Sequence, residues 1–178
     1  MDINTLKSSF SDLKYKDNSG VFKLKESGKD ATLKEVTLIN IPNDSLIVKM
    51  DDVKFHNLFI DKWGFNKHSD YMVITDDKII FIEMKSKSKF DDKLKEECQK
   101  KFASDKSTMD YADSIFENLL LKNSFFRQKE FHYVLLYQSM PINKTPTINQ
   151  PNNSNTEPNN FRKIAISNEG VIDYKKII

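Results

Sequence analysis

The sequence has one cysteine, four glycines and five prolines among 178 residues, and it has no long hydrophobic run. Its only cysteine, Cys98, cannot form a disulfide within the chain, which favours a reducing compartment. So few glycines include no glycine-rich phosphate loop, which argues against a nucleotide-dependent motor or a dinucleotide enzyme. The longest apolar runs, such as 79–82, span a few residues, whereas a transmembrane helix needs about 20. We therefore exclude a transmembrane protein.

An excess of charge of one sign is also missing, since 28 Lys and Arg stand against 26 Asp and Glu, a formal net charge of +2. This balance neither requires nor excludes nucleic acid, because phosphate binding depends on where Lys and Arg cluster. The densest basic stretch lies between Lys85 and Lys106, where it either follows a phosphate backbone or forms a solvated helix face. The three histidines lack metal-ligand spacing, so we expect no zinc site.

The length suits a single domain, 1–178, with a core of its own. The first 16 residues have no unbroken apolar core and do not resemble a secretory signal, so we expect a cytoplasmic protein with no membrane contact. After a short first helix, β-branched and aromatic runs separated by turn signals predict a strand meander. Its strands are predicted at 21–25, 32–41 and 45–50.

Further along the chain the apolar period changes to about 3.6, which predicts a helix over 91–121, either in one piece or broken near 104–107. A strand is predicted at 131–138, and a final hairpin at 161–178. Residues 139–160 contain four of the five prolines and many asparagines. We expect them to form a flexible loop, with a flap over a substrate as the functional alternative.

Residues 70–85 predict two strands joined by a polar turn. If the turn is centred between Asp76 and Asp77, then Asp70 faces Glu83 across the hairpin. Both faces of the hairpin are apolar near the turn, which is typical of a sheet covered on two sides. The hairpin is therefore expected at the centre of the sheet.

Two facing carboxylates on neighbouring strands repel each other, so a folded protein needs a reason to keep Asp70 opposite Glu83. A divalent cation removes the repulsion, and Mg²⁺ takes oxygen ligands from one or two carboxylates plus water and phosphate. Lys85 points to the same face as Glu83, because side chains alternate along a strand. Two acids and an amine indicate metal-assisted phosphodiester hydrolysis. The alternative is a strand end whose charges spread into solvent.

The sequence of this hairpin resembles the motif of the PD-(D/E)xK nucleases, the restriction-endonuclease-like superfamily. The matching residues are Ser69-Asp70-Tyr71-Met72-Val73-Ile74, a short turn, and Ile79-Ile80-Phe81-Ile82-Glu83-Met84-Lys85 before a long helix. The resemblance covers 68–121, with 131–138 as the next strand. It implies an α/β (α+β) fold with a central mixed β-sheet flanked by helices.

The resemblance also implies cleavage of DNA, less often RNA, with Mg²⁺ or Mn²⁺ as the cofactor. Carried over by position, Asp70, Glu83 and Lys85 are implied to be catalytic. The implied metal ligands are the carboxylates of Asp70 and Glu83 and the carbonyl of Met84. These assignments rest on the resemblance and on the register of the hairpin together.

The sequence departs from the family pattern in two places. Many members add an acidic residue from an N-terminal helix, whereas strands are predicted before this hairpin. Glu35 is the best candidate for that acid, and a solvated strand residue beside Lys34 is the alternative. Some exonuclease branches place Gln and Tyr four residues apart on the helix after the motif. Gln99 is suitably placed, but Ala103 occupies the other position, so that subtype is not expected.

The leading hypothesis is a small Mg²⁺-dependent nuclease that acts on DNA, with RNA as the second substrate, in bacterial defence or DNA processing. The second is a catalytically inactive nuclease-fold subunit that binds protein or nucleic acid. The third is an unrelated α/β interaction domain. The basic cleft usual in nucleases is not evident, so a homodimer or a partner subunit is expected to assist target choice.

Overall fold

The computed structural model describes residues 15–17, 20–26, 28–50, 67–86, 90–120, 122–138, 147–148 and 154–178. Within these ranges the chain forms a mixed α+β structure of two sheets and one α-helix. The strands are β1 (Tyr15–Asp17), β2 (Val21–Lys25), β3 (Glu35–Ile39), β4 (Leu46–Lys49), β5 (Tyr71–Ile74), β6 (Lys78–Lys85), β7 (Glu130–Gln138), β8 (Thr147–Ile148), β9 (Arg162–Ile166) and β10 (Gly170–Asp173). The α-helix is α1 (Asp92–Asn118), and a short 3-10 helix follows β10 at Tyr174–Lys176.

Seven strands form the central sheet in the order β1-β4-β5-β6-β7-β9-β8. The pairs from β1 to β6 are antiparallel, whereas β6, β7 and β9 run parallel and β8 lies antiparallel to β9. Parallel neighbours need a crossover connection, and α1 lies in the one between β6 and β7. The predicted central mixed sheet is therefore confirmed.

The hairpin of β5 and β6 lies in the middle of this sheet, as expected. Tyr71 pairs with Ile82 and Ile74 pairs with Ile79, which is the predicted register. The turn is closed by the amide of Thr75, which donates to the carbonyl of Lys78 at 2.9 Å. Because the register is the predicted one, the alternating side chains of β6 lie on the faces that the sequence pattern assigned to them.

Helix α1 covers one face of the central sheet as a continuous helix of 27 residues. The carboxylate of Asp91 caps its start by accepting from the amide of Leu94 at 2.7 Å. The apolar residues of its buried face recur at the helical period: Leu94, Cys98, Phe102, Met109, Ala112 and Phe116. No helix in the described ranges combines the length and apolar character needed to cross a membrane.

The other face of the central sheet is covered by a three-stranded sheet in the order β10-β3-β2. The prediction placed helices there, whereas in the described part of the chain a second layer of strands takes that position. The hydroxyl of Tyr71 connects the two layers, because it accepts from the amide of Lys25 and donates to its carbonyl, both at 2.8 Å. A central hairpin residue therefore fixes the end of β2.

The predicted N-terminal meander is confirmed for its first two strands, which pair antiparallel, and is wrong for the third. β3 pairs with β2 in the small sheet, whereas β4 pairs with β1 and β5 in the central sheet. Asn40 (φ 57°) and Asp44 (φ 63°) flank the segment in which the chain passes from one layer to the other. Both residue types tolerate the left-handed conformation, so this connection follows from turn chemistry that strand patterns do not reveal.

The predicted final hairpin is also wrong. β9 lies beside β7 in the central sheet, whereas β10 lies parallel to β3 in the small sheet. Between them Glu169 has a φ of 59°, and the amide of Gly170 donates to the carbonyl of Ser167 at 3.0 Å. The apolar alternation of each strand identifies the strand but not the sheet to which it belongs.

The predicted flexible segment 139–160 falls largely outside the described residues, as does the predicted first helix. Within the segment, 147–148 form β8 and residues from 154 onward are described. Asn155 is buried; its carbonyl accepts from the amide of Tyr133 at 2.9 Å and its side chain donates to the carbonyl of Ile177 at 3.1 Å. This end of the segment is therefore packed through Asn155, which finds backbone partners on both sides, and the flexibility of the segment stays a prediction.

The close packing between β9 and β10 predicts that Gly170→Ala destabilises the fold. A Cβ there would touch Cγ1 of Ile166 and would lie 2.8 Å from the carbonyl oxygen of Ser167. We expect a loss of about 1–3 kcal/mol in the free energy of unfolding, measured in urea. Gly28→Ala is the control, since its nearest contact would be at 3.5 Å. Equal stability of the two variants would contradict this account of the β9–β10 connection.

Candidate active site

The candidate site lies where β6 changes from apolar to polar. Along the face of β6 that α1 covers, Phe81 belongs to the apolar cluster, and Glu83 and Lys85 follow at alternate positions. Glu83 has no exposed surface, whereas Lys85 keeps part of its side chain at the edge. The structure therefore brings the two strand residues of the motif to one face, at the end of a buried strand.

Asp70 lies immediately before β5 and beside β6. Its amide donates to the carbonyl of Ile82 at 3.1 Å, and its carbonyl accepts from the amide of Met50 at 2.9 Å. Its carboxylate oxygen Oδ2 accepts from the amide of Met84 at 2.6 Å. The regular ladder ends at Tyr71, and the backbone amide and the side chain of Asp70 extend the contact with β6 by one more residue.

Met84 connects the two acids through its backbone. Its side chain is buried in the apolar cluster on the opposite face of the sheet, between the two sheets. Its amide holds Asp70, as described, while the residues on either side, Glu83 and Lys85, face α1. The role of its carbonyl as a cation ligand stays a prediction from the resemblance.

Glu83 is neutralised by two lysines rather than one. Oε1 of Glu83 lies 2.9 Å from Nζ of Lys85 and 2.7 Å from Nζ of Lys101, a residue of α1. Lys85 also contacts Oε1 of Glu97 at 2.8 Å. The expected repulsion between two facing acids is thus offset in the folded protein by ammonium groups, before any cation is considered.

Lys101 and Glu97 are site residues that the sequence interpretation missed. Lys101 follows Cys98 by three residues and precedes Phe102, so helical spacing places it on the buried face of α1. Its side chain is only 16% exposed. A lysine at a buried helical position was the available signal, and it was hidden by the many solvated lysines of the same stretch.

Burial and the neighbouring charges change the pKa of both acids. Burial first, and the charge of Glu83 second, raise the pKa of Asp70 to about 8. Burial also raises the pKa of Glu83, although the charges and hydrogen bonds of Lys101 and Lys85 act in the opposite direction. Both shifts show that each carboxylate is held in an environment that disfavours its negative charge.

The two lysines remain cationic in this environment. Burial lowers the pKa of each ammonium group, but the charges of the nearby acids outweigh burial and raise it overall. For Lys85 the acids are Glu83 and Glu97; for Lys101 they are Glu83 and Asp70. Neither lysine is therefore suited to accept a proton at neutral pH.

The proposed N-terminal acid, Glu35, has other contacts. It lies on β3 in the small sheet and pairs with Lys23 at 2.6 Å and Lys25 at 3.7 Å. The acid of this region whose charge raises the pKa of Asp70 is Glu26, directly after β2. The following segment crosses the end of β6, where the amide of Leu33 donates to Oγ of Ser86 at 3.1 Å. Glu26 thus replaces Glu35 as the candidate third acid.

A buried acid of α1 holds the chain that leads into β5. Oδ1 of Asp105 lies 2.9 Å from Nδ1 of His68, and Oδ2 accepts from the amide of Ser69 at 3.1 Å. Asp113, two turns further along the helix, accepts in the same way from the amides of Phe125 and Arg127. The helix that supplies Lys101 therefore also positions the residue before Asp70.

The other candidates of the sequence have structural roles in the described residues. Cys98 is fully buried, and burial raises the pKa of its thiol to about 12, as expected for a packing residue rather than a nucleophile. Gln99 donates to the carbonyl of Asn159 at 3.4 Å. No group of three or more His, Cys, Asp or Glu in the described ranges is arranged to hold a metal ion.

Comparison with known proteins adds no family assignment. No protein-family model matches the chain, and no curated protein or solved structure is significantly similar to it. The functional argument therefore depends on the geometry of the site itself.

The two lysines around Glu83 predict that Glu83→Gln destabilises the metal-free protein. The substitution leaves two ammonium groups without their shared counter-charge, so we expect a loss of about 1–3 kcal/mol, less than for a fully buried pair because both lysines reach solvent. Urea denaturation in chelator measures it. Glu96→Gln, which removes an exposed pair with Lys100, should change stability little. An unchanged or stabilised Glu83→Gln would mean that repulsion from Asp70 dominates.

The raised pKa of Asp70, about 8 against an ordinary 3.8, predicts a pH-dependent stability. Between these values the folded protein binds a proton that the unfolded chain releases, so stability falls as pH rises from about 4 to 8. Asp70→Asn should reduce this slope in urea denaturation. Asp77→Asn should leave the slope unchanged. A hydrogen bond from Lys78 lowers the pKa of Asp77, so this residue affects stability at acidic pH, below the range measured. The same slope in parent and Asp70→Asn would contradict the assignment.

Proposed function

We propose that the protein is a metal-dependent nuclease of the restriction-endonuclease-like type that hydrolyses phosphodiester bonds, with DNA as the first substrate and RNA as the second. The observation that carries the proposal is the meeting of Asp70, Glu83 and Lys85 at one end of the central hairpin. The order of β5, β6, α1 and β7, with β6 and β7 parallel, supports the core that the resemblance implies.

Two carboxylates and one backbone carbonyl fit a divalent cation that takes its other ligands from water and phosphate, so a third acidic side chain is not required. Oε2 of Glu83 is buried and has no hydrogen-bond partner among the described residues. Burial, and after it the charge of Glu83, raises the pKa of Asp70, so a cation beside Asp70 would stabilise its charged form. Asp70 and Glu83, with the carbonyl of Met84, would hold Mg²⁺ or Mn²⁺, which supplies polarisation of a phosphoryl oxygen and a more acidic bound water.

Lys85 is proposed to act as a cation and hydrogen-bond donor, not as a base. Its raised pKa keeps it protonated, and its side chain is 22% exposed, so a substrate can reach it. Glu83 and Glu97 hold its ammonium group from two sides, at 2.9 and 2.8 Å. A charge fixed in this way can orient an attacking water and stabilise the negative charge that develops on the phosphate.

The charges of the site favour a cation. With all groups ionised, Asp70, Glu83, Glu97 and the candidate third acid Glu26 outnumber Lys85 and Lys101 by two negative charges. One divalent cation offsets this excess.

A second candidate function is a catalytically inactive subunit of the same fold that binds protein or nucleic acid. The ion pairs of Lys85 and Lys101 with Glu83 favour it, because they neutralise the buried carboxylate without a cation. The two candidates differ in whether Mn²⁺ stabilises the protein, since only a ligand that binds the native state does so.

The nuclease proposal predicts that Lys85→Ala loses cleavage by about 10²–10³-fold, the loss typical of one charge-stabilising donor. Lys101 still neutralises Glu83 in this variant, so the protein should remain folded and should still bind Mn²⁺. Cleavage is measured on plasmid, single-stranded DNA and RNA with Mg²⁺ or Mn²⁺, with Lys100→Ala as the control.

Lys100 lies on the same helix and is exposed, so its removal should leave cleavage unchanged. Chelator should abolish cleavage by the parent. A parent that binds nucleic acid but neither cleaves it nor gains thermal stability with Mn²⁺ would reject the nuclease and support the binding subunit.

A further inference from the structure

Lys101 has the position of an internal counter-ion for the acidic pair. Its ammonium group lies 2.7 Å from Oε1 of Glu83, the shortest contact that this carboxylate makes among those described. Its one close carboxylate contact among the described residues is with Glu83, and the charge of Asp70 acts on it as well. The motif assigns no role to a lysine of α1.

We propose that the ammonium group of Lys101 substitutes for the divalent cation in the metal-free protein, so that cation binding requires Lys101 to leave Glu83. The inference rests on the proposed function and adds its regulation: Lys101 sets the affinity of the site for the cation. Lys101 is thus a residue that acts through Glu83, and it need not touch the substrate.

Lys101 is better placed to leave than Lys85. Lys85 follows Glu83 by two residues on a central strand and is held by Glu97 as well. Lys101 extends from α1 on a flexible side chain whose one ion pair among the described residues is with Glu83; its exposure, 16% against 22% for Lys85, does not distinguish it. Glu97 precedes it by four residues on the helix, which is the favourable order for a Glu–Lys pair. A displaced Lys101 therefore has a second carboxylate within one helical turn, which it would share with Lys85.

The consequence is an exchange of charges instead of the simple addition of an ion. While Lys101 is paired with Glu83, two ammonium groups neutralise the buried carboxylate, and a cation must compete with Lys101 for it. Without the charge of Lys101, Lys85 still offsets Glu83, but the pair of acids attracts a cation more strongly. Removal of this lysine should therefore tighten cation binding, which a purely structural lysine would not do.

The test measures the dissociation constant of Mn²⁺ by calorimetry for the parent, Lys101→Met, Lys101→Arg and Lys100→Met. Lys101→Met should bind Mn²⁺ at least about fivefold more tightly, the factor that one charge at about 4 Å gives even in water. Lys101→Arg should bind several-fold more weakly, because a guanidinium group holds a carboxylate with two hydrogen bonds. Lys100→Met should match the parent.

Lys101→Arg keeps the charge and carries the test if Lys101→Met does not fold; affinity equal to or tighter than that of the parent then overturns the inference. A parent that binds Mn²⁺ and cleaves nucleic acid, with Lys101→Met binding no more tightly, overturns the inference alone. If no protein in the series binds Mn²⁺, the proposed function fails with it. Tight binding by Lys101→Met beside a parent that binds poorly supports the inference.

Discussion

The carboxylate of Glu83 is a charge buried near the end of the central strand β6, and the arrangement around it follows from the need to offset that charge. Removing an ion of this kind from water costs several kcal/mol unless partners are close and well oriented. One partner, Lys85, comes from the same strand, and the other, Lys101, comes from α1. The strand alone therefore does not neutralise its own glutamate, and the helix has to lie at the correct height over β6.

Two buried acids of α1 hold the helix at that height. Asp105 binds the backbone that leads into β5, and Asp113 binds the backbone that leads into β7. Backbone amides that are buried need acceptors, and a carboxylate offers several at once. The contacts that keep α1 in place thus also fix the approach to Asp70, so both acids of the site and Lys101 depend on one helix.

The sequence could predict this hairpin and this helix because their signals are local. An apolar strand with period two, a short polar turn and a helix with period 3.6 suffice to set the register of β5 on β6 and the buried face of α1. The sheet membership of β3, β4, β9 and β10 has no such signal. Each is a short apolar strand, and its layer is set by residues such as Asn40 and Glu169 that turn the chain between sheets.

The site was predictable to the same extent as the fold, that is, where its residues lie on the central hairpin. Glu83 and Lys85 share a face through alternation along β6, whereas the facing of Asp70 and Glu83 stays a prediction, because the paired register ends at Tyr71 and Ile82. Lys101 and Glu26 belong to other elements, and their approach depends on how α1 and the small sheet pack on the hairpin. In a sequence with 28 Lys and Arg, a single buried lysine has no compositional signal, and only its helical spacing from Cys98 and Phe102 distinguishes it.

A site that neutralises its own acids has a physical consequence for the proposed reaction. The metal-free protein does not have to tolerate two unrelieved buried carboxylates, so its fold does not depend on the cation for stability. The same ion pairs weaken the attraction for a cation, because each lysine offsets charge that the cation would otherwise meet. The ion pairs of Glu83 therefore increase the stability of the metal-free protein and decrease its affinity for a cation. Lys101, whose side chain is long and partly exposed at the edge of α1, can shift this balance by leaving Glu83.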